Sequence, residues 1–296
     1  MQNATAAAVA VLVVELAPAA AFGFAADSVA KAMARWPGTL RILPPALLVL
    51  PYVAIAMLQH IFRWQWFALY ALLPAWIAWL LGQATTADPE QRGNWRDAVI
   101  LLVLGLAVDL RWFDAAWPVG WRGLGNLLLV DAGLYGFLGI RRLTGTGFDF
   151  HLRWSDWKTG LRELSFFAPV VLLLGLALGF LQPHRNLPAI DKAGLQWAGI
   201  FVFVAVPEEL FFRAWVQNLL ERRVGRRAAL VTASILFGLS HFNKRLDVNL
   251  GHFNWRYVLL ATIAGIFYGR AWREQRRVSA STITHTFVDW IWSWWF

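Results

Sequence analysis

Long apolar runs without a single charge constrain this chain more than any other feature. Ile42–Leu58 and Pro169–Leu181 contain no Asp, Glu, Lys or Arg. An amphipathic helix or strand of a soluble protein interrupts such runs with polar residues at its own period. A bilayer asks for the opposite: about 20 largely apolar residues in a row, with every backbone group bonded inside the segment. Several segments reach that length with their flanks. Composition agrees, at 58% hydrophobic and 15% charged residues, against about half and a quarter in a soluble domain. The fold class expected is an all-α, polytopic transmembrane helix bundle of about 8–10 spans.

Ten apolar segments fall near residues 5–25, 42–60, 65–82, 97–112, 122–140, 164–182, 194–220, 228–243, 255–272 and 279–296. The net charge of +9 is not gathered on one face or tail, as a nucleic-acid partner would require. It sits in short loops between the apolar runs: Arg141, Arg142, Arg153, Lys158 and Arg162; then Arg222, Arg223, Arg226 and Arg227; then Arg270, Arg273, Arg276 and Arg277. Two segments separate each pair of these loops, so all three fall on one side, together with Lys31, Arg35, Arg41, Arg92 and Arg96. By the positive-inside rule that side is cytoplasmic, in the inner or plasma membrane if the source is a bacterium. Both termini then face outward, with Trp290, Trp292, Trp294, Trp295 and Phe296 as an interfacial anchor. Cysteine is absent, which excludes disulfides, thiolate metal sites and a cysteine nucleophile. The apolar N-terminus lacks a basic leader and reads as a first span.

Ionisable groups inside such segments cost at least about 2.5–3.5 kcal/mol each, so they need a reason. The segment around 198–220 contains Pro207-Glu208-Glu209 followed by Arg213. Adjacent carboxylates repel, more so in a low dielectric. Arg213 lies four residues after Glu209, on the same helical face, so these two pair. Glu208 points about 100° away and lacks that partner, which leaves it free to handle a proton. Pro207 loosens the helix beside them. The next segment places Phe237 and His241 one turn apart, and the last places His285 and Asp289 at i and i+4, where a carboxylate can fix an imidazole's tautomer. Between them, Ala261, Gly265 and Gly269 form a small-residue stripe that lets a neighbouring helix approach closely. Taken singly, each buried His or Glu–Arg pair reads as a structural contact, and Glu15, Asp109 and Asp131 are read that way. Glu208, His241 and His285 are read as functional because four such elements follow in order within about eighty residues.

That order, EExxxR, FxxxH, a small-residue helix and HxxxD, resembles the CPBP family of intramembrane proteases, related to type II CAAX prenyl endopeptidases and to bacteriocin-processing and self-immunity proteins. The resemblance covers about residues 195–296, so residues 191–296 are expected to form the catalytic transmembrane core and 1–190 a transmembrane region of unassigned function. It implies hydrolysis of a peptide bond in a membrane-anchored protein or peptide. In that implied scheme Glu208 and His241 activate a water, while His285 and Asp289 stand at the oxyanion. Glu209, Arg213 and Phe237 would support them, with Gly265 and Gly269 packing the helices. This chain has Asp289 where the prenyl endopeptidases carry Asn. An ionised Asp cannot donate to an oxyanion, so Asp289 is expected to orient His285, with His285 as donor. Zinc held by Glu208, His241 and His285 is the alternative mechanism; a metal-free glutamate mechanism is preferred because HExxH is absent. Outside proteolysis, a proton-coupled transporter or a non-catalytic immunity or scaffold protein would also use buried Glu, His and Arg. No internal repeat of the kind common in transporters is visible.

Overall fold

The computed structural model describes residues 2–184, 190–244 and 254–296. Among them the chain is helical, without strands, and its ten helices replace the ten apolar segments one for one. They are α1 (Gln2–Ala34), α2 (Val49–Leu58), α3 (Trp64–Ala87), α4 (Trp95–Asp109), α5 (Gly123–Ile140), α6 (Trp154–Ala177), α7 (190–224), α8 (Arg226–Leu239), α9 (Trp255–Gln275) and α10 (Val278–Trp295). By length and composition, α1, α3, α5, α6 and α7 are apolar enough to cross a bilayer, and the chain is an integral membrane protein. The others are shorter or more polar: α8 has 14 residues, and α9 carries Arg256, Arg270, Arg273 and Glu274.

Two compact units divide the chain, Met1–Thr144 and Gly145–Phe296. In the first, α5 lies close on α3. A Cβ on Gly136 would stand 2.7 Å from Leu81 Cδ1, so a larger residue there would have to displace the Leu81 side chain. Arg141, at the end of α5, donates to Asp97 Oδ1 (3.0 Å) and to Asp88 Oδ2 (2.6 Å). Asp97 in turn closes a capping box with Asn94 at the start of α4. One buried guanidinium thus ties three helix ends together. Glu15 on α1 and Asp131 on α5 are both 2% exposed. Neither Glu15 oxygen, nor Asp131 Oδ2, has a hydrogen-bond partner among the described residues.

The second unit joins α6, which precedes the motif-bearing stretch, to α9 and α10. Thr284 Oγ1 donates to the Gly160 carbonyl at 3.0 Å, and Gln275 Nε2 to Thr159 Oγ1 at 2.9 Å. The connection into α6 is clamped by buried Arg277, which donates to Asp149 (2.6 Å), Asp156 (2.8 Å) and the His151 carbonyl (2.6 Å). Gly147, at φ +68°, accepts the Val278 N–H and lies where a Cβ would sit 2.0 Å from the Arg276 carbonyl oxygen. Trp290 donates to the Ala193 carbonyl and Trp294 to Gln196. These two tryptophans of the expected interfacial anchor therefore bond to α7, because an indole N–H inside a helix bundle needs an acceptor.

Candidate active site

Helix α7 is irregular where the two acids lie. π-helical turns span Phe201–Ala205 and Leu210–Gln217, and between them Val206–Glu209 makes one α-turn. Pro207 lacks a backbone donor, and the loosening expected there takes the form of these wider turns. Glu209 and Arg213 pair as their spacing dictates, Arg213 Nε to Glu209 Oε2 at 3.0 Å, both side chains fully buried. Glu209 also does something the sequence does not reveal. Its Oε1 lies 2.9 Å from His285 Nδ1 on α10. A carboxylate held by Arg213 only accepts, so Nδ1 carries the hydrogen and Nε2 faces the other way.

Two more carboxylates stand on that other side. Asp289 Oδ2 is 3.5 Å and Glu208 Oε2 3.9 Å from His285 Nε2. The Asp289–His285 contact has the spacing expected of an i, i+4 pair, but Glu209 makes the shorter bond to the ring. The ring is further fixed by stacking on Tyr268, at 4.6 Å between centroids and 16° between planes, and by the edge of Phe237 at 5.7 Å.

Glu208 is not without a cation, as its position on the helix had implied. Lys244 Nζ approaches its Oε1 to 3.6 Å from the segment after α8. Helical spacing could not show this, because Lys244 arrives from another element. Glu208 Oε2 is buried and makes no hydrogen bond among the described residues, so one oxygen of the pair is uncommitted.

His241 lies just past α8 and is 4% exposed. Its Nδ1 is 2.9 Å from the Phe237 carbonyl. A carbonyl only accepts, so Nδ1 donates, and in the neutral ring Nε2 keeps its lone pair. Phe237 is the hub beneath the site. Its ring touches Phe212, His241, Tyr268 and His285, and the Arg213 guanidinium lies 5.3 Å from its centre. Gly265 and Gly269 set the approach of α9 to its neighbours. A Cβ on Gly265 would stand 3.0 Å from Ser234 Cα, and one on Gly269 2.4 Å from Leu230 Cδ1.

His241, His285 and Asp289 line one cavity of about 120 Å³, whose remaining wall is mostly apolar, with Phe167 and Val171 of α6, Leu181, Tyr257, Ala261 and Trp292. Glu208 is not among the lining residues and reaches this space only beside His285. Sequence reasoning passed over Tyr257, Tyr268 and the α6 residues, since aromatic and aliphatic side chains on apolar helices carry no signal of their own. Zinc would need Glu208, His241 and His285 as a donor set. Among the described residues, no three His, Asp or Glu side chains are arranged to hold a metal ion. Nδ1 of each imidazole donates to a carbonyl or a carboxylate, which leaves Nε2 as the nitrogen open to a metal.

No curated protein and no solved structure matches this chain. Residues 191–291, about a third of the chain, match the family model described as type II CAAX prenyl endopeptidase Rce1-like, and over that stretch the chain is similar to this family of membrane proteases, as the four motifs implied.

Proposed function

We propose that the second unit is an intramembrane endopeptidase that cleaves a membrane-anchored protein or peptide by a metal-free glutamate mechanism. The observation that supports this most is that His241, His285 and Asp289 line one small apolar cavity, while Glu208, with one oxygen free of hydrogen bonds among the described residues, stands beside His285. A water between Glu208 and His241 would lose one proton to the carboxylate while its remaining O–H donates a hydrogen bond to His241 Nε2. The resulting hydroxide adds to the scissile carbonyl carbon, and the proton passes from Glu208 to the departing amine nitrogen. His285 Nε2–H holds the oxyanion when the ring carries both protons, Nδ1–H being committed to Glu209. Asp289 orients that ring.

The experiment is cleavage of membrane-anchored reporter peptides by purified protein bearing Glu208→Gln. The variant should keep wild-type expression and thermal stability while losing cleavage by about 10²-fold or more. Unchanged cleavage would refute the glutamate role. A coupled-uptake defect in proteoliposomes, without any proteolysis, would favour a carrier instead. Metal content and chelator treatment of active protein test the second half of the proposal. Activity should survive metal removal.

A further inference from the structure

A second cavity of the Gly145–Phe296 unit belongs to none of this chemistry. It is an open cleft of about 680 Å³, lined by Glu163, Arg226, Arg227, Arg270, Arg273 and Glu274. Its two acids are already committed. Glu163 pairs with Arg162 (2.8 Å) and with Arg270 (3.0 Å), and Glu274 is bonded by Arg162 at 2.9 Å. Three guanidinium groups, those of Arg226, Arg227 and Arg273, have no carboxylate contact among the described residues. All three line this one cleft, and Arg273 Nη1 donates to the Arg226 carbonyl at 3.3 Å. The first turn of α8 adds to the positive field, since its N-cap, Gly225, supplies no side-chain acceptor. Like charges gathered around a cleft repel unless an anion lies between them. Guanidinium forks match the oxygens of a phosphate group better than any other common anion.

The location decides the source. Arg226 and Arg227 follow within three residues of Val224, the end of the membrane-spanning part of α7. Arg270 and Arg273 lie in the last turns of α9. At such helix ends the phosphates of lipid headgroups are the nearest anions, and basic pockets between helices are a known way to hold them. We infer that this cleft is a phosphate site for the headgroup of an anionic phospholipid.

Thermal unfolding of the full chain in neutral detergent, followed by tryptophan fluorescence, tests the inference. Short-chain phosphatidylglycerol should raise the midpoint saturably, whereas short-chain phosphatidylcholine should not. The Arg226→Gln, Arg227→Gln, Arg273→Gln triple variant should weaken the phosphatidylglycerol response at least about tenfold. The exposed Arg111→Gln of the first unit should leave it unchanged. Without lipid, the triple variant should melt at or above the wild-type temperature, since it relieves repulsion; if it fails to fold, Arg227→Gln alone carries the comparison. Equal responses to both lipids, or an undiminished response in the variants, would overturn the site. Inorganic phosphate matching phosphatidylglycerol would keep the phosphate chemistry and overturn the lipid as its source.

Discussion

Arg213→Met and Glu209→Gln remove opposite halves of one buried pair, and the structure says they should not cost the same. Breaking a buried ion pair typically costs about 3–5 kcal/mol, because the surviving charge is left without compensation. With Arg213 gone, Glu209 keeps the 2.9 Å bond from His285 Nδ1, so the loss should fall near the lower end, about 3 kcal/mol. With Glu209 made neutral, Arg213 is worse placed. Its two terminal nitrogens have no hydrogen-bond partner among the described residues, and only the Phe237 ring remains beside it. That loss should fall near the upper end, about 5 kcal/mol. At about 2 °C per kcal/mol the midpoints would drop by roughly 6 °C and 10 °C. The double variant leaves no stranded charge and should recover much of the sum, with a coupling of about 3 kcal/mol. Fluorescence-detected unfolding in micelles, at one fixed scan rate because such transitions are seldom reversible, measures all four proteins. Additive losses, or a larger effect from Arg213→Met than from Glu209→Gln, would refute the reasoning.

Three further outcomes follow from the packing and the charges. Gly160→Ala places a Cβ 2.8 Å from Ile283 Cγ2 and 3.0 Å from the Ala280 carbonyl; the crowding should lower stability by about 1–3 kcal/mol, seen as an earlier midpoint. Partial burial pushes the Asp149 carboxyl up, but hydrogen bonds from Arg277 and His151 outweigh it and hold the group down, from its ordinary 3.8 to about 2. A carboxyl lowered on folding adds stability above its unfolded value and loses it as pH falls through the folded one. The midpoint gap between wild type and Asp149→Asn should therefore be full at neutral pH and close between pH 3.8 and about 2. Glu15→Met removes a buried carboxyl group without a partner, and should raise the stability of the first unit by about 1–3 kcal/mol; a loss in the same unfolding assay would show that Glu15 is satisfied in the membrane.

The fold was legible wherever one helix decides the matter alone. Hydropathy located all ten helices, and the 3.6-residue period paired Glu209 with Arg213 and set Asp289 beside His285. What stayed hidden depends on how helices meet. The bond from Glu209 to His285 joins positions 76 apart, and the approach of Lys244 to Glu208 comes from a loop. No local period encodes either. The same holds for α6, whose Phe167 and Val171 read as ordinary lipid-facing residues until they are seen in the wall of the cavity. Motif order picked out the candidate residues; only the crossing of helices shows which carboxylate holds which ring nitrogen.

The wider turns of α7 have a consequence for how that helix can change. Each places one more residue in a turn than ideal α geometry does. Rewinding Phe201–Ala205 as regular α-helix, with no residue removed, would be a small gain for the isolated helix. It would also rotate everything upstream by about 100° against everything downstream. Gln196 and Ala193 would then swing away from Trp294 and Trp290, and α10 would lose the two latches that keep His285 in line with the acids. Regular winding is thus cheap for the rod and ruinous for its alignment.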